Sequence, residues 1–120
     1  MNYKQRDLVL VKFPFTDLTG FKVRPALIIS NSSVHKSKDY IIMMITTQKI
    51  GGSFGVTFDN TDLTIPLKAP VTKGYIYTKK LAVLDESIIY KKISEFQNLT
   101  KFQNILDLHI DNIALEDEYF

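Results

Sequence analysis

With 120 residues, 45% hydrophobic and 23% charged, the chain is the size of one domain, spanning 1–120, and its composition is globular rather than disordered. It has no cysteine and only two histidines, His35 and His109, which excludes disulfides, thiolate nucleophiles, Cys-based zinc sites and a His-rich metal site. The net charge of +2 conceals a gradient: residues 1–104 hold all 15 Lys and Arg and eight of the 13 acids, and the remaining five acids make the end acidic. A basic body of this kind suits a polyanionic partner.

The opening MNYKQRDL has no apolar signal core, and no apolar run approaches the roughly 18–20 residues of a membrane span. The expectation is a cytoplasmic protein with no membrane contact. A first strand is expected over Asp7 to Phe13, apolar on both faces and stopped by Pro14. Thr16-Asp17-Leu18-Thr19-Gly20 is turn chemistry, and Ala26 to Ser30 reads as a buried second strand with Arg24 at its mouth. A polar, flexible connection then runs from Asn31 to Asp39. Tyr40 to Thr46 is a third, fully buried strand.

Short strands are expected at Phe54–Phe58, Leu63–Leu67, Gly74–Thr78 and Leu81–Leu84, with one helical turn at Ser87–Lys91. From Asn98 to Ile113 the apolar period changes to 3.6, with Phe102, Ile105, Leu106, His109 and Ile113 on one face of an amphipathic helix. Many short strands closed by one helix predict a mainly β (α+β) fold, a small, strongly curved sheet or barrel with the helix packed across it.

No phosphate-binding glycine loop, nucleophile elbow or zinc-protease motif is present. Arg24 is the strongest single candidate for chemistry, because its planar fork suits a phosphate and the charge that develops on it. The bland alternative is an ion pair with Asp17 across the turn. Thr46 ends a buried strand, where its hydroxyl can face a cleft. Strand alternation points Thr47 the other way, so only one of the two can serve. Lys73, Lys79 and Lys80 interleave with Tyr75 and Tyr77, a pattern that suits single-stranded nucleic acid, where each stacked base is worth about 1–3 kcal/mol. Lysines guarding a strand edge would look the same. His35 is read as a solvent-exposed loop residue and His109 as a hydrogen-bonded core residue.

Three segments, LVKFPFTDLTGFKVRPALIIS, IIMMITTQ and GYIYTKKLAVLD, resemble the MazF/PemK toxins, and the likeness spans roughly positions 6–95. The pattern F-x-F-x-D-x-x-G-x-x-x-R-P-A-L carries it. The resemblance implies an SH3-like, CcdB/MazF-like barrel and a metal-independent endoribonuclease without cofactor. In such an enzyme a ribose 2′-OH attacks the adjacent phosphodiester, leaving a cyclic phosphate and a 5′-OH end. DNA, lacking that hydroxyl, is then not a substrate. The implied catalytic residues are Arg24 and Thr46, with Phe15, Thr16, Asp17, Lys22, Thr47, Gln48, Lys49, Lys73, Tyr77 and Lys79 as the expected RNA-binding set. Implied partners are single-stranded mRNA, a cognate antitoxin with an acidic tail, and a second copy in a homodimer. Tyr77 and Lys79 stand where several members carry an arginine and an aspartate, so the general base is unassigned. The competing readings are a non-cleaving RNA- or antitoxin-binding relative and a CcdB-like gyrase poison. Against the latter, the chain has no Trp and ends Glu118-Tyr119-Phe120.

Overall fold

A computed structural model of the protein describes residues 2–14 and 21–117. The elements in chain order are β1 (Asp7–Pro14), β2 (Phe21–Ile28), α1 (Ser32–His35), β3 (Asp39–Thr46), β4 (Gly55–Asp59), β5 (Lys73–Asp85), β6 (Ile89–Glu95) and α2 (Leu99–Ile113). Single 3-10 turns at Asn60–Asp62 and Glu86–Ile88 follow β4 and β5. Among the described residues no helix is long and apolar enough to cross a membrane.

All strand pairs are antiparallel, in the order β4-β5-β3-β2-β1-β6. The sheet is open: the expected SH3-like curved barrel does not form, and the fold is a mixed α/β one in which the six-stranded sheet is neither closed nor strongly curled. Closure would require β4 and β6 to pair. Instead β4 is only five residues long and pairs with the first part of β5, while β6 pairs with β1. The chain following each of these edge strands meets the other at one isolated bridge, Leu63↔Phe96.

Alternation along the strands explains why an open sheet is stable. Leu8, Leu27, Met43 and Ile76 project to one face and join Phe58, Phe96, Phe102 and Ile105 in a core roofed by α2. Val9, Ala26, Ile28 and Ile42 project to the other face and join Val11, Tyr40 and Ile89. Two apolar faces call for two covering layers, whereas a barrel has one interior to fill.

Local differences from the sequence expectations have physical causes. β2 begins five residues earlier than expected and contains Arg24 and Pro25. Pairing with β3 starts only at Ala26, so Pro25 lies where that side of the ladder is open and proline is tolerated. Leu63–Leu67 is not a strand; its backbone is held mainly by side chains, Ser94 exchanging two bonds with Ile65 and Asn60 two with Leu67. Gly74–Thr78 and Leu81–Leu84 are one strand, with a register shift against β3 between Met43 and Ile45. In place of the helical turn expected at Ser87–Lys91, a 3-10 turn at Glu86–Ile88 leads directly into β6, which begins at Ile89.

Helix α2 forms where its period placed it. Asn98 caps it by accepting the Lys101 N–H at 3.0 Å, and Phe102 and Ile105 are buried. Asp62 anchors it from outside, accepting Asn98 Nδ2 and Lys101 Nζ, each at 2.9 Å. Burial opposes ionisation of Asp62, but bonds from Lys101, Asn98 and the Asp59 N–H outweigh it and hold the carboxyl below its usual range. Ile113 lies on the expected face yet is exposed, and the His109 Nδ1 is buried without a hydrogen-bond partner among the described residues.

His35 is 2% exposed, not solvated. Its Nε2 lies 2.7 Å from Ser30 Oγ, and its ring stacks on Tyr40 at 4.3 Å between centroids. Because the Ser30 hydroxyl also accepts the Ile41 N–H, this pair pins α1 to β3. Burial pushes the His35 pKa below 6.5, against hydrogen bonding to Ser30 and the Asp7 charge. The folded state therefore binds this proton less tightly than the unfolded chain, and stability is fully present above about 6.5 and falls as pH drops through that value. Denaturant titrations between about pH 7.5 and 5.5 are expected to show that loss, and His35→Asn to flatten it. Asp59, Asp85 and Glu95 have lowered values and titrate in a more acidic window.

Candidate functional site

The starts of β2 and β5 and the ends of β3 and β4 lie together at one end of the sheet, because antiparallel neighbours alternate direction. Register places specific side chains there. Thr46 pairs with Tyr75, and Tyr75 pairs on its other side with Thr57. Thr46, Tyr75 and Thr57 thus form a row across three strands, and Arg24, on β2, lines the same cavities as Thr46.

Two cavities open beside this row. The first, about 350 Å³, is lined by Arg24, Thr46, Thr47, Gln48 and Lys73 above an apolar floor that includes Leu8, Ile45 and Phe58. The second, about 520 Å³, is lined by Arg24, Thr46, Gln48, Tyr77 and Lys80. Arg24 and Thr46 line both, so they stand on the ridge between them. Thr46 Oγ1 accepts the Gln48 N–H at 3.1 Å, which fixes the hydroxyl oxygen and leaves its proton to donate. Arg24 is exposed and presents a permanent cation.

Of the expected RNA-binding set, Thr47, Gln48, Lys73 and Tyr77 line these cavities with Arg24 and Thr46. Lys22 and Lys49 are exposed and line neither. Phe15, Thr16 and Asp17 lie outside the described residues, and with them the proposed Arg24–Asp17 ion pair. Lys79 turns away, its Nζ 4.2 Å from the Phe54 ring centroid, in a cation–π contact. The irregular register of β5 explains this. Thr78 is buried, its N–H and hydroxyl donating to the Phe54 carbonyl, and Lys80 rather than Lys79 joins Tyr77 at the second cavity. The Lys79-Lys80 doublet was visible in the sequence; which of the two faces the cleft was not.

A third cavity of about 280 Å³ continues from the first past Thr47 and Lys73. No sequence signal indicated that Thr57, Asp59 and Lys101 would meet there. Among the described lining residues of the first two cavities there is no Asp, Glu or His.

Residues 4–107 match the family model described as the PemK-like, MazF-like toxin of type II toxin–antitoxin systems. The chain belongs to this family. Solved structures similar to this PemK-like protein include MazE–MazF (Form-III) from Deinococcus radiodurans, at 18% identity and TM-score 0.72, covering 97% of this chain and 100% of that one. The Mycobacterium tuberculosis toxin MazF-mt6 is 14% identical with TM-score 0.69, covering 93% of this chain and 100% of that one. An endoribonuclease in complex with its cognate antitoxin, from a mycobacterial species, is 15% identical with TM-score 0.65, covering 95% and 99%. At these identities the likeness is one of fold. No curated protein matches the chain.

Proposed function

We propose that this PemK-like protein is a cytoplasmic endoribonuclease toxin that cuts single-stranded RNA at a short sequence, without a metal, and is silenced by an antitoxin with an acidic segment. The carrying observation is that Arg24 and Thr46, on neighbouring strands, line the same two cavities. The RNA's own 2′-OH is the nucleophile. Arg24 stabilises charge on the scissile phosphate, and the Thr46 hydroxyl donates to a phosphate oxygen or holds the 2′-OH in line. A cationic rim of Arg24, Lys73 and Lys80 attracts the backbone and equally suits an acidic antitoxin. The active unit is a homodimer, whose second copy would cover part of the open sheet edge.

Purified protein in chelator should cut single-stranded RNA, leave cyclic-phosphate and 5′-OH ends, and spare the 2′-deoxy counterpart. Arg24→Ala should lower cutting by about 10²–10³-fold; equal cleavage by that variant would overturn the mechanism. The absence of Asp, Glu and His among the described lining residues of the first two cavities favours one second reading, a relative that binds RNA without cutting it. Binding with no cleavage across a randomised RNA pool would establish that reading instead.

Gly74 links this chemistry to packing. A Cβ there would lie 2.9 Å from the Thr46 carbonyl oxygen and 3.2 Å from the Phe58 ring. Gly74→Ala must therefore push the β3 end away, at about 1–3 kcal/mol of stability. Cleavage per folded molecule is expected to fall along with it; an unchanged rate would show that the position of Thr46 is not critical.

A further inference from the structure

The third cavity adjoins the first through Thr47 and Lys73, and its lining includes Tyr75 and Thr57, the next two positions in the row that begins with Thr46. One strand spacing, about 4.8 Å, separates Thr46 from Tyr75. A strand of RNA whose scissile phosphate sits between Arg24 and Thr46 must therefore leave across Lys73 toward this cavity or across Lys80 toward the second. Of these three cavities, the third alone has a carboxylate among its described lining residues. Asp59 sits at the end of β4, its Oδ1 taken by the N–H of Thr61 at 2.9 Å and by the Thr61 hydroxyl, which turns the group in place. Those bonds hold its pKa below the usual range, so it is an acceptor at neutral pH. Lys101 lies close by, its Nζ donating at 2.9 Å to the same Asp62 oxygen that accepts the Asp59 N–H at 3.1 Å. The cavity thus combines an aromatic wall, two threonine hydroxyls, an ionised acceptor and a lysine shared with the first cavity.

We propose that this cavity is a base-reading subsite: it takes the base of the nucleotide adjoining the cleaved bond, stacked on Tyr75, with Lys73 on the intervening phosphate and Asp59 accepting from an exocyclic amino group. This inference rests on the ribonuclease reading and assigns part of its sequence preference. Adenine, cytosine and guanine carry such an amino group. Uracil presents carbonyls on both sides of its N3–H and sets them against the carboxylate. A hydrogen-bond mismatch of this kind discriminates by at least about fivefold.

The test has two arms. In the first, the cut ends of a randomised RNA pool are sequenced for the wild type, Asp59→Asn and Tyr75→Leu. Asparagine keeps the capping geometry around Thr61 but offers a donor as well as an acceptor. Asp59→Asn is expected to admit uracil at one position next to the cut, by about fivefold or more, with the preferences elsewhere as in the wild type. Tyr75→Leu is expected to raise KM at all bases at that position. Unchanged profiles in both variants overturn the subsite. The second arm does not depend on cutting: anisotropy titrations with short single-stranded oligoadenylate, oligocytidylate and oligouridylate. The wild type should bind the first two more tightly than the third, and Asp59→Asn should narrow that gap. No gap in the wild type, or the same gap in the variant, overturns the proposal. If the gap behaves as expected but RNA is never cut, the subsite stands and the cleavage reading alone fails.

Discussion

Arg24→Ala is expected to lower the rate of RNA cleavage by about 10²–10³-fold, the loss that follows removal of one donor aimed at a developing oxyanion. If Arg24 acts on the transition state, kcat and kcat/KM fall together, while a residue that only binds substrate would raise KM and leave kcat alone. Lysine at this position keeps the charge but not the two-pronged geometry, so Arg24→Lys should recover only a fraction of the activity. Arg24 is exposed within β2, and a surface change of this kind usually shifts stability by no more than about 0.5 kcal/mol. Loss of activity with an unchanged denaturation midpoint is thus the expected pair of results. Cleavage by Arg24→Ala at the wild-type rate would remove Arg24 from the chemistry.

The largest expected stability effect is at Phe96. Its ring is fully buried between Phe58, at 6.4 Å, and Phe102, at 6.3 Å, and so joins the β4 edge to α2. Its backbone adds the bond to the Arg6 carbonyl and the bridge to Leu63. Phe96→Ala removes the ring and leaves a cavity that the two neighbouring aromatics cannot both close, at about 3–5 kcal/mol. Urea titration should show this as a shift in midpoint, with Phe96→Leu losing less. A loss below about 1 kcal/mol for alanine would mean that α2 does not depend on this contact.

Those elements of the fold whose apolar run is continuous or strictly periodic are legible in the sequence, although β3 is not fully buried as expected: Ile41, Met44, Ile45 and Thr46 are half-buried. YIIMMIT could be read as β3 because no residue in it needs water, and α2 because Phe102 and Ile105 recur at helical spacing. β6 was hidden because IYKKISE is an edge strand whose lysines interrupt the alternation. His35 looks solvated from its sequence surroundings, NSSVHKSKD, which are polar, whereas Ser30 and Tyr40 pack against it and it is buried. The barrel expectation failed because strand period says nothing about which strands end a sheet. Within the site, Arg24 and Thr46 could be singled out from local pattern and from resemblance. Lys101 could not: it is brought to the strand ends by Asp62, 39 residues earlier in the chain, and no local motif encodes that meeting.

The two packed faces of the sheet have a consequence for how such a toxin can diverge. Arg24, Thr46, Thr57, Asp59 and Lys73 belong to neither apolar cluster. On the proposed ribonuclease reading, RNA preference can therefore be retuned at Thr57 or Lys73 with little effect on melting behaviour. Gly74 is the exception, a hinge point where heritable change in one property drags the other with it.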